Sequence, residues 1–116
     1  MSQTKVFTEQ YVVRASLVTA AASLTTGTSA VLLAGDAASK LDLVQIGFSN
    51  NSDAATSVTL KDDSTTVNIY PVPASTANQF NYQIPIPQSK VGGSWDVDLP
   101  DITGTTITVS ALFIKR

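Results

Sequence analysis

The stretch that best defines the fold is TTITVSALFIK at residues 105–115. Its apolar residues alternate with polar ones, which is typical of a β-strand that buries one face. The predicted buried face carries Ile107, Val109, Ala111 and Phe113. On the opposite face, two polar residues are followed by the apolar residues Leu112 and Ile114. We therefore predict a strand whose last few residues are apolar on both faces.

The same period-two pattern recurs upstream. Residues 95–99 alternate, and so does the set Phe80, Tyr82, Ile84 and Ile86. Val67 and Ile69 follow the predicted hairpin turn at residues 62–65 and are expected to face inward. Prolines near strand ends predict edge strands. About eight such strands, with turns every 8–12 residues, predict an all-β antiparallel β-sandwich, jelly-roll-like or Ig-like.

Three segments are less regular. Residues 11–24 contain an alanine-rich run at 19–23 that favours a helix by propensity, but the flanking apolar residues favour two short strands or one bent strand. Residues 36–40 are predicted to form a single helical turn. Residues 41–49 are apolar on both faces, which predicts a central strand or one covered from outside.

The length predicts one core and one domain. Residues 1–10 are polar except for Val6 and Phe7, and we interpret them as an N-terminal arm that lies against a neighbouring subunit. Residues 11–116 are then a single β-sandwich domain. The first residues lack the apolar core of a signal peptide, so we expect the chain to be made in a cytoplasm.

Composition excludes several functions. The chain has nine acidic and seven basic residues, and no histidine or cysteine among its 116 residues. A histidine-based triad and a thiolate or imidazole zinc site are therefore excluded. The basic residues are scattered and the net charge is −2, which argues against nucleic-acid binding. No apolar run is long enough to span a membrane.

Carboxylates are the main remaining candidates for chemistry. Asp62 and Asp63 lie in a predicted turn, and Asp96, Asp98 and Asp101 cluster around a strand end. Such pairs could serve glycoside hydrolysis or bind Ca²⁺. Aspartate is also common in turns and on the solvent face of strands, and we favour that interpretation.

The adjacent residues Ser89 and Lys90 could formally make a dyad, but neighbours in a loop point apart. We therefore predict no catalytic residue, no metal and no cofactor, and no enzymatic activity.

Three aromatic residues could form a sugar-stacking platform. Trp95 and Tyr82 are predicted to lie on the same strand faces as aliphatic residues, so we expect them to pack in the core. Tyr70 is predicted to lie on the other face of its strand from Val67 and Ile69, which makes it the best candidate for an exposed aromatic at an interface.

The chain from residue 44 onward resembles the small β-sandwich structural proteins of tailed bacteriophage virions, known as capsid decoration or cement proteins. The resemblance covers about two-thirds of the chain, and the following sequences carry it: IGFSNNS (46–52), VTLKDD (58–63), IYPVPA (69–74), IPIP (84–87), GSWDVDL (93–99) and VSALFIK (109–115).

The resemblance implies a non-enzymatic protein that binds the outer shell and bridges subunits of the major capsid protein, as a homotrimer. It implies a location on the outer capsid surface after synthesis in the host cytoplasm. The expected contact residues are Val6, Phe7, Tyr11, Tyr70, Leu112 and Ile114. The alternative is a head-fibre, tail or adhesin-type module that binds host-surface glycan, because similar sandwiches occur in those proteins.

Overall fold

The structure is a computed structural model that describes residues 17–25, 28–99 and 106–116. Within those ranges it contains eight strands and no helix: β1 (Leu17–Thr25), β2 (Ser29–Leu33), β3 (Leu41–Asn50), β4 (Thr56–Asp62), β5 (Thr65–Val72), β6 (Thr76–Ile86), β7 (Trp95–Asp98) and β8 (Thr106–Lys115). The prediction of an all-β fold with about eight strands is confirmed. The predicted arm at residues 1–10 lies outside the described residues, so the division into arm and domain stays a prediction.

The strands form two four-stranded sheets. Sheet A has the order β1-β8-β3-β6, and sheet B has the order β2-β7-β4-β5. Every neighbouring pair is antiparallel. Two facing sheets of four strands each match the eight-stranded jelly roll, whereas the immunoglobulin constant domain has seven. The fold is therefore a jelly-roll-like β-sandwich.

The core lies between the two sheets and is filled by the inward positions of nearly every strand. Its largest members include Trp95, whose ring centroid lies 5.6 Å from that of Phe113. The indole Nε1 of Trp95 donates to the carbonyl of Leu41 at 2.7 Å. This bond satisfies the one polar atom of the side chain, so the core can hold a fully buried tryptophan. The prediction that Trp95 packs in the core is confirmed.

A bulge in β3 changes the predicted faces of that strand. The pairing register with both neighbours shifts between Leu43 and Gln45. As a result Leu41 and Leu43 point to the same side as Ile46 and Phe48, and all four side chains are buried. The prediction of two apolar faces is wrong, because one extra residue reverses the parity of the strand.

The faces of β5 are also the reverse of those predicted. Tyr70 lies directly opposite the buried residue Val58 of β4, so both side chains enter the core. Tyr70 is 1% exposed, whereas Ile69 is 58% exposed. We predicted an exposed Tyr70 and inward Val67 and Ile69, and both predictions are wrong. Alternation shows which residues share a face of β5, but it does not show which of the two faces is buried.

Two further local predictions need correction. The period of two predicts that Ile84 lies on the same face as Phe80 and Tyr82, but Ile84 is 86% exposed, because β6 has extra residues between the partners of Gln45 and Leu43. Residues 36–40 form a turn rather than a helical turn, since the Asp36 carboxylate accepts a hydrogen bond from the Ala38 N–H at 2.8 Å. The alanine-rich run is part of strand β1, as favoured.

Candidate interaction surface

The outer face of sheet A is the surface of greatest functional interest. Pairing register places opposite residues of neighbouring strands on one face, and the inward positions of these strands line the core. The outer face of sheet A therefore includes Leu17, Thr19, Ala21, Ser23, Asp42, Gln45, Gly47, Ser49, Ala77, Gln79, Asn81, Thr108, Ser110, Leu112 and Ile114. Of these side chains, Asp42, which lies opposite Ile114, carries a charge and the others are neutral.

One corner of this face is apolar. Leu17 of β1 lies directly opposite Ile114 of β8, and Leu112 lies two positions further along β8 on the same face. All three side chains are half-buried, although they point away from the core. We refer to Leu17, Leu112 and Ile114 as the apolar corner.

The sequence predicted Leu112 and Ile114 as contact residues, and the structure places both on an outer surface where they could meet a partner. It adds Leu17, whose position depends on strand pairing and could not be deduced from local sequence. Val6, Phe7 and Tyr11 lie outside the described residues.

A shallow hollow of about 250 Å³ opens beside the apolar corner. It is lined by residues from all four strands of sheet A, including Thr19, Gln45, Gly47, Gln79, Ser110 and Leu112. Gly47 has no side chain to fill its place between Ser110 and Gln79. The hollow is open and its lining is uncharged, so it suits a protruding neutral side chain of a partner protein.

Charge is confined to one end of sheet A. Its strands contain two charged residues, Asp42 and Lys115. The Asp42 carboxylate accepts hydrogen bonds from the Arg116 Nε and from the Gln88 backbone N–H. Lys115 pairs with Asp36 at 3.0 Å, and the Ala38 N–H together with Lys115 lowers the pKa of Asp36 below its ordinary value. The charges near the apolar corner are thus paired.

The outer face of sheet B differs in character. Lys61 of β4 and Asp98 of β7 form an ion pair at 2.5 Å, and Ser94 donates its hydroxyl to the Asp96 carboxylate. Lys61, Asp96 and Asp98 line a hollow of about 260 Å³ that also includes the exposed Val31. Asp96 and Asp98 occupy the solvent face of β7, as the strand-face interpretation predicted. Asp101 lies outside the described residues.

The candidate dyad at Ser89 and Lys90 has a structural role. The Lys90 Nζ lies 2.6 Å from the Asp63 carboxylate, which raises the pKa of Lys90. A lysine held protonated by an aspartate is a poor general base. The backbone N–H of Ser89 donates to the buried Asp62 carboxylate at 2.7 Å. Both aspartates therefore anchor the loop at residues 88–94.

The aromatic residues of the described ranges are directed inward rather than into solvent. Tyr70 packs between Phe48 and Phe80, with ring centroids 5.1 and 4.9 Å away. Burial, and next the hydrogen bond with Tyr82, raise the pKa of the Tyr70 hydroxyl above its ordinary range. Tyr82 packs against the core as predicted. No aromatic side chain of the described residues is among the exposed large apolar residues, so these residues form no stacking platform.

The described ranges contain neither a candidate metal-binding cluster nor a membrane-spanning helix. No group of three or more carboxylate side chains is placed to hold a metal ion. No helix there is long and apolar enough to cross a membrane.

Comparison with known proteins relates the chain by fold and not by sequence. No family model and no curated protein matches the sequence. A chain of the cyanophage Pam1 capsid asymmetric unit superposes with a TM-score of 0.55 at 5% identity, over 84% of this chain and 82% of that one. A carbohydrate-binding module, CBM36 in complex with calcium and xylotriose, gives a TM-score of 0.54 at 12% identity, over 86% of this chain and 98% of the module.

A larger protein contains a similar domain. The insecticidal delta-endotoxin Cry8Ea1 of Bacillus thuringiensis superposes with a TM-score of 0.53 at 12% identity. The match covers 81% of this chain but only 19% of the toxin. These likenesses establish a β-sandwich that occurs in viral capsids and also in carbohydrate-binding modules. They establish the fold alone.

Proposed function

We propose that this protein is a non-enzymatic structural component of a phage virion, specifically a capsid decoration protein. It binds the outer shell, bridges neighbouring copies of the major capsid protein and so stabilises the particle against internal pressure. Many copies, each of modest affinity, supply the total strength through multivalent binding. The homotrimer implied by the family resemblance is an expectation about assembly that this proposal does not require.

The observation that carries the proposal is the outer face of sheet A. A monomer exposed to water on all sides usually places polar residues on such a face, yet Leu17, Leu112 and Ile114 form an apolar corner there. The rest of the face is neutral apart from Asp42, which is paired with Arg116. Apolar residues in a region with few charged side chains are typical of a surface that packs against another protein.

The absence of histidine and cysteine supports a non-enzymatic role. The contacts of the candidate dyad support it as well, because the Ser89 N–H donates to Asp62 and Lys90 is paired with Asp63. The likeness to a chain of the Pam1 capsid supports a virion location by analogy of fold.

The alternative is a recognition module for host-surface glycan, and the fold likeness to CBM36 is compatible with it. That alternative predicted exposed aromatic residues around Tyr70. Tyr70 is instead buried, and the described residues offer no exposed aromatic side chain in its place. We therefore favour binding to protein.

The experiment uses virions from which the protein has been removed. Purified protein is added back, and binding is measured by co-sedimentation with the particles. The variant Leu112→Lys/Ile114→Lys brings two charges into the apolar corner, and desolvating them should weaken binding by about tenfold or more.

Ile69→Lys is the matched control, because Ile69 is exposed on the outer face of sheet B. It should bind as the wild type does, and thermal unfolding should show that both variants are folded. Equal binding by the wild type and the double variant would refute the role of the apolar corner. Failure of the wild type to bind any particle would refute the decoration role.

A further inference from the structure

Among the strands that the structure describes, β1 has the least protected edge. Each sheet has two outer strands, which are β1 and β6 in sheet A and β2 and β5 in sheet B. The free side of an outer strand can pair with another chain, so proteins usually protect it with a bulge, a proline, a charge or short length. Here β2 has five residues and a bulge, β5 contains Pro71, and β6 contains Pro85 in an irregular segment.

Strand β1 has none of these features. Its nine residues, LVTAAASLT, include no proline, glycine or charged residue. They pair one-to-one with β8 from Leu17 to Thr25 without a register shift. Among the described residues, no strand pairs with the other side of β1. That side therefore offers a long, regular row of backbone donors and acceptors.

We propose that β1 of one copy pairs antiparallel with β1 of a second copy around a two-fold axis at Ala21. The strand sequence is nearly symmetric about Ala21, because residues at equal distances on either side of it have mostly similar side chains. On the core side, Val18 then faces Leu24 of the second copy, and Ala20 faces Ala22 of the second copy. These inward side chains already contact or belong to the core, so the pairing joins apolar residue to apolar residue.

The outer side is matched as well. Thr19 faces Ser23 of the second copy, and Ala21 faces its own counterpart across the axis. Cross-strand pairs of threonine and serine hydroxyls stabilise antiparallel sheets. Because β1 carries no charge, the pairing brings no like charges together. A second copy of this chain is therefore a partner of matching polarity on both faces.

The result is one continuous sheet of eight strands, made of sheet A from each copy. The two outer faces of sheet A then form a single surface with an apolar corner from each copy, and the charged Asp42 on each outer face is paired with Arg116. This inference concerns the edge of β1 and does not rest on the capsid role. It specifies a two-fold contact, whereas the family resemblance implies a homotrimer.

A single cysteine tests the contact directly, since the natural chain has none. Residues opposite each other in an antiparallel pair have Cβ atoms about 4.5–5.5 Å apart, which is near the separation of a disulfide. Ala21→Cys should therefore form a disulfide-linked dimer on mild oxidation, detected by denaturing electrophoresis without reductant. Ser110→Cys is the matched control, because Ser110 lies opposite Ala21 on β8 and one strand further from the axis.

Two copies of Ser110 would be separated by three strand spacings, or about 14 Å, and should not cross-link. A second pair of variants tests the register without oxidation. Thr19→Lys/Ser23→Lys places lysine opposite lysine twice, whereas Thr19→Lys/Ser23→Asp places lysine opposite aspartate twice. We expect the dimer dissociation constant of the first, measured by analytical ultracentrifugation, to be about tenfold higher than that of the second.

Four results would overturn the proposal. One is a monomer at all accessible concentrations. Another is equal cross-linking of the two cysteine variants. The third is equal dissociation constants for the two charge variants. A trimer in which Ala21→Cys does not cross-link would also contradict it, and would support the homotrimer instead.

Discussion

The hydroxyl groups of Tyr70 and Tyr82 lie 2.5 Å apart and share a hydrogen bond between the two sheets. Tyr70 belongs to β5 at the edge of sheet B, and Tyr82 belongs to β6 at the edge of sheet A. The bond closes the sandwich on the side where these two edges meet. It also satisfies the hydroxyl of a tyrosine that is directed into the core, which explains how Tyr70 can be buried.

Removing the hydroxyl of Tyr82 alone should destabilise the fold more than removing the hydroxyls of both tyrosines. Tyr82→Phe leaves the buried Tyr70 hydroxyl without its main partner, which should lower the free energy of unfolding by about 1–3 kcal/mol. Tyr70→Phe/Tyr82→Phe leaves neither hydroxyl unsatisfied and should cost less than Tyr82→Phe alone. Urea unfolding of the two variants tests this order, and a double variant that is the less stable would contradict it.

The raised pKa of Tyr70 predicts a loss of stability at high pH. Below pH 10 the hydroxyl is protonated in both the folded and the unfolded chain, so its contribution is constant. Above pH 10 the unfolded chain releases this proton while the folded chain keeps it. The free energy of unfolding should then fall as pH rises, by up to about 1.4 kcal/mol per pH unit.

The measurement is urea unfolding at pH 9 and pH 11, with Tyr70→Phe as the control for all other titrating groups. The wild type should lose more stability between these pH values than the variant. Equal losses would mean that Tyr70 ionises as readily in the folded protein as in the unfolded chain.

Gly35 should be intolerant of any side chain. A Cβ atom on Gly35 would lie 2.0 Å from the carbonyl oxygen of Gly92. Because that oxygen belongs to the backbone, the clash cannot be relieved by rotating a side chain. Gly35→Ala should therefore displace the loop at residues 88–94 and lower the free energy of unfolding by about 1–3 kcal/mol. Gly47→Ala is the control, since its Cβ would meet its nearest atom, the Ser110 Oγ, at 3.4 Å.

We expect Gly47→Ala to be neutral or slightly stabilising, because alanine reduces the entropy of the unfolded chain. Thermal unfolding of the two variants side by side makes the comparison. Equal stability of the two would contradict the close approach of the backbone at Gly35 and Gly92.

Gln88 is expected to be the key residue of the same loop. Its side-chain oxygen accepts from the Leu41 N–H at 2.8 Å, and its amide nitrogen donates to the Gly93 carbonyl. Gln88→Leu would leave two buried backbone groups unpaired, at a cost of about 2–4 kcal/mol. Gln83→Leu, at an exposed position of β6, should have little effect. If denaturant unfolding gave the same free energy of unfolding for both variants, it would contradict the structural role of Gln88.

The sequence predicted the class of fold because alternation and turns are local properties. It predicted the burial of Trp95 and the outward direction of Leu112 and Ile114 for the same reason. The predicted inward and outward faces of β3, β5 and β6 were wrong. In these strands the position of a bulge, or the choice of which face is buried, depends on pairing with the neighbouring strands. The parity of Tyr70 follows from its pairing with Val58, and the position of Leu17 follows from its pairing with Ile114. Neither pairing can be deduced from a short window of sequence.

The central claim is that this protein decorates a capsid, and its copy number in the native particle tests that claim most directly. Quantitative mass spectrometry of purified virions would compare its abundance with that of the most abundant shell protein. We predict hundreds of copies, in a simple ratio to the shell protein. About a dozen copies would contradict decoration and indicate a neck, tail or fibre component, and absence from the particle would contradict a virion role altogether.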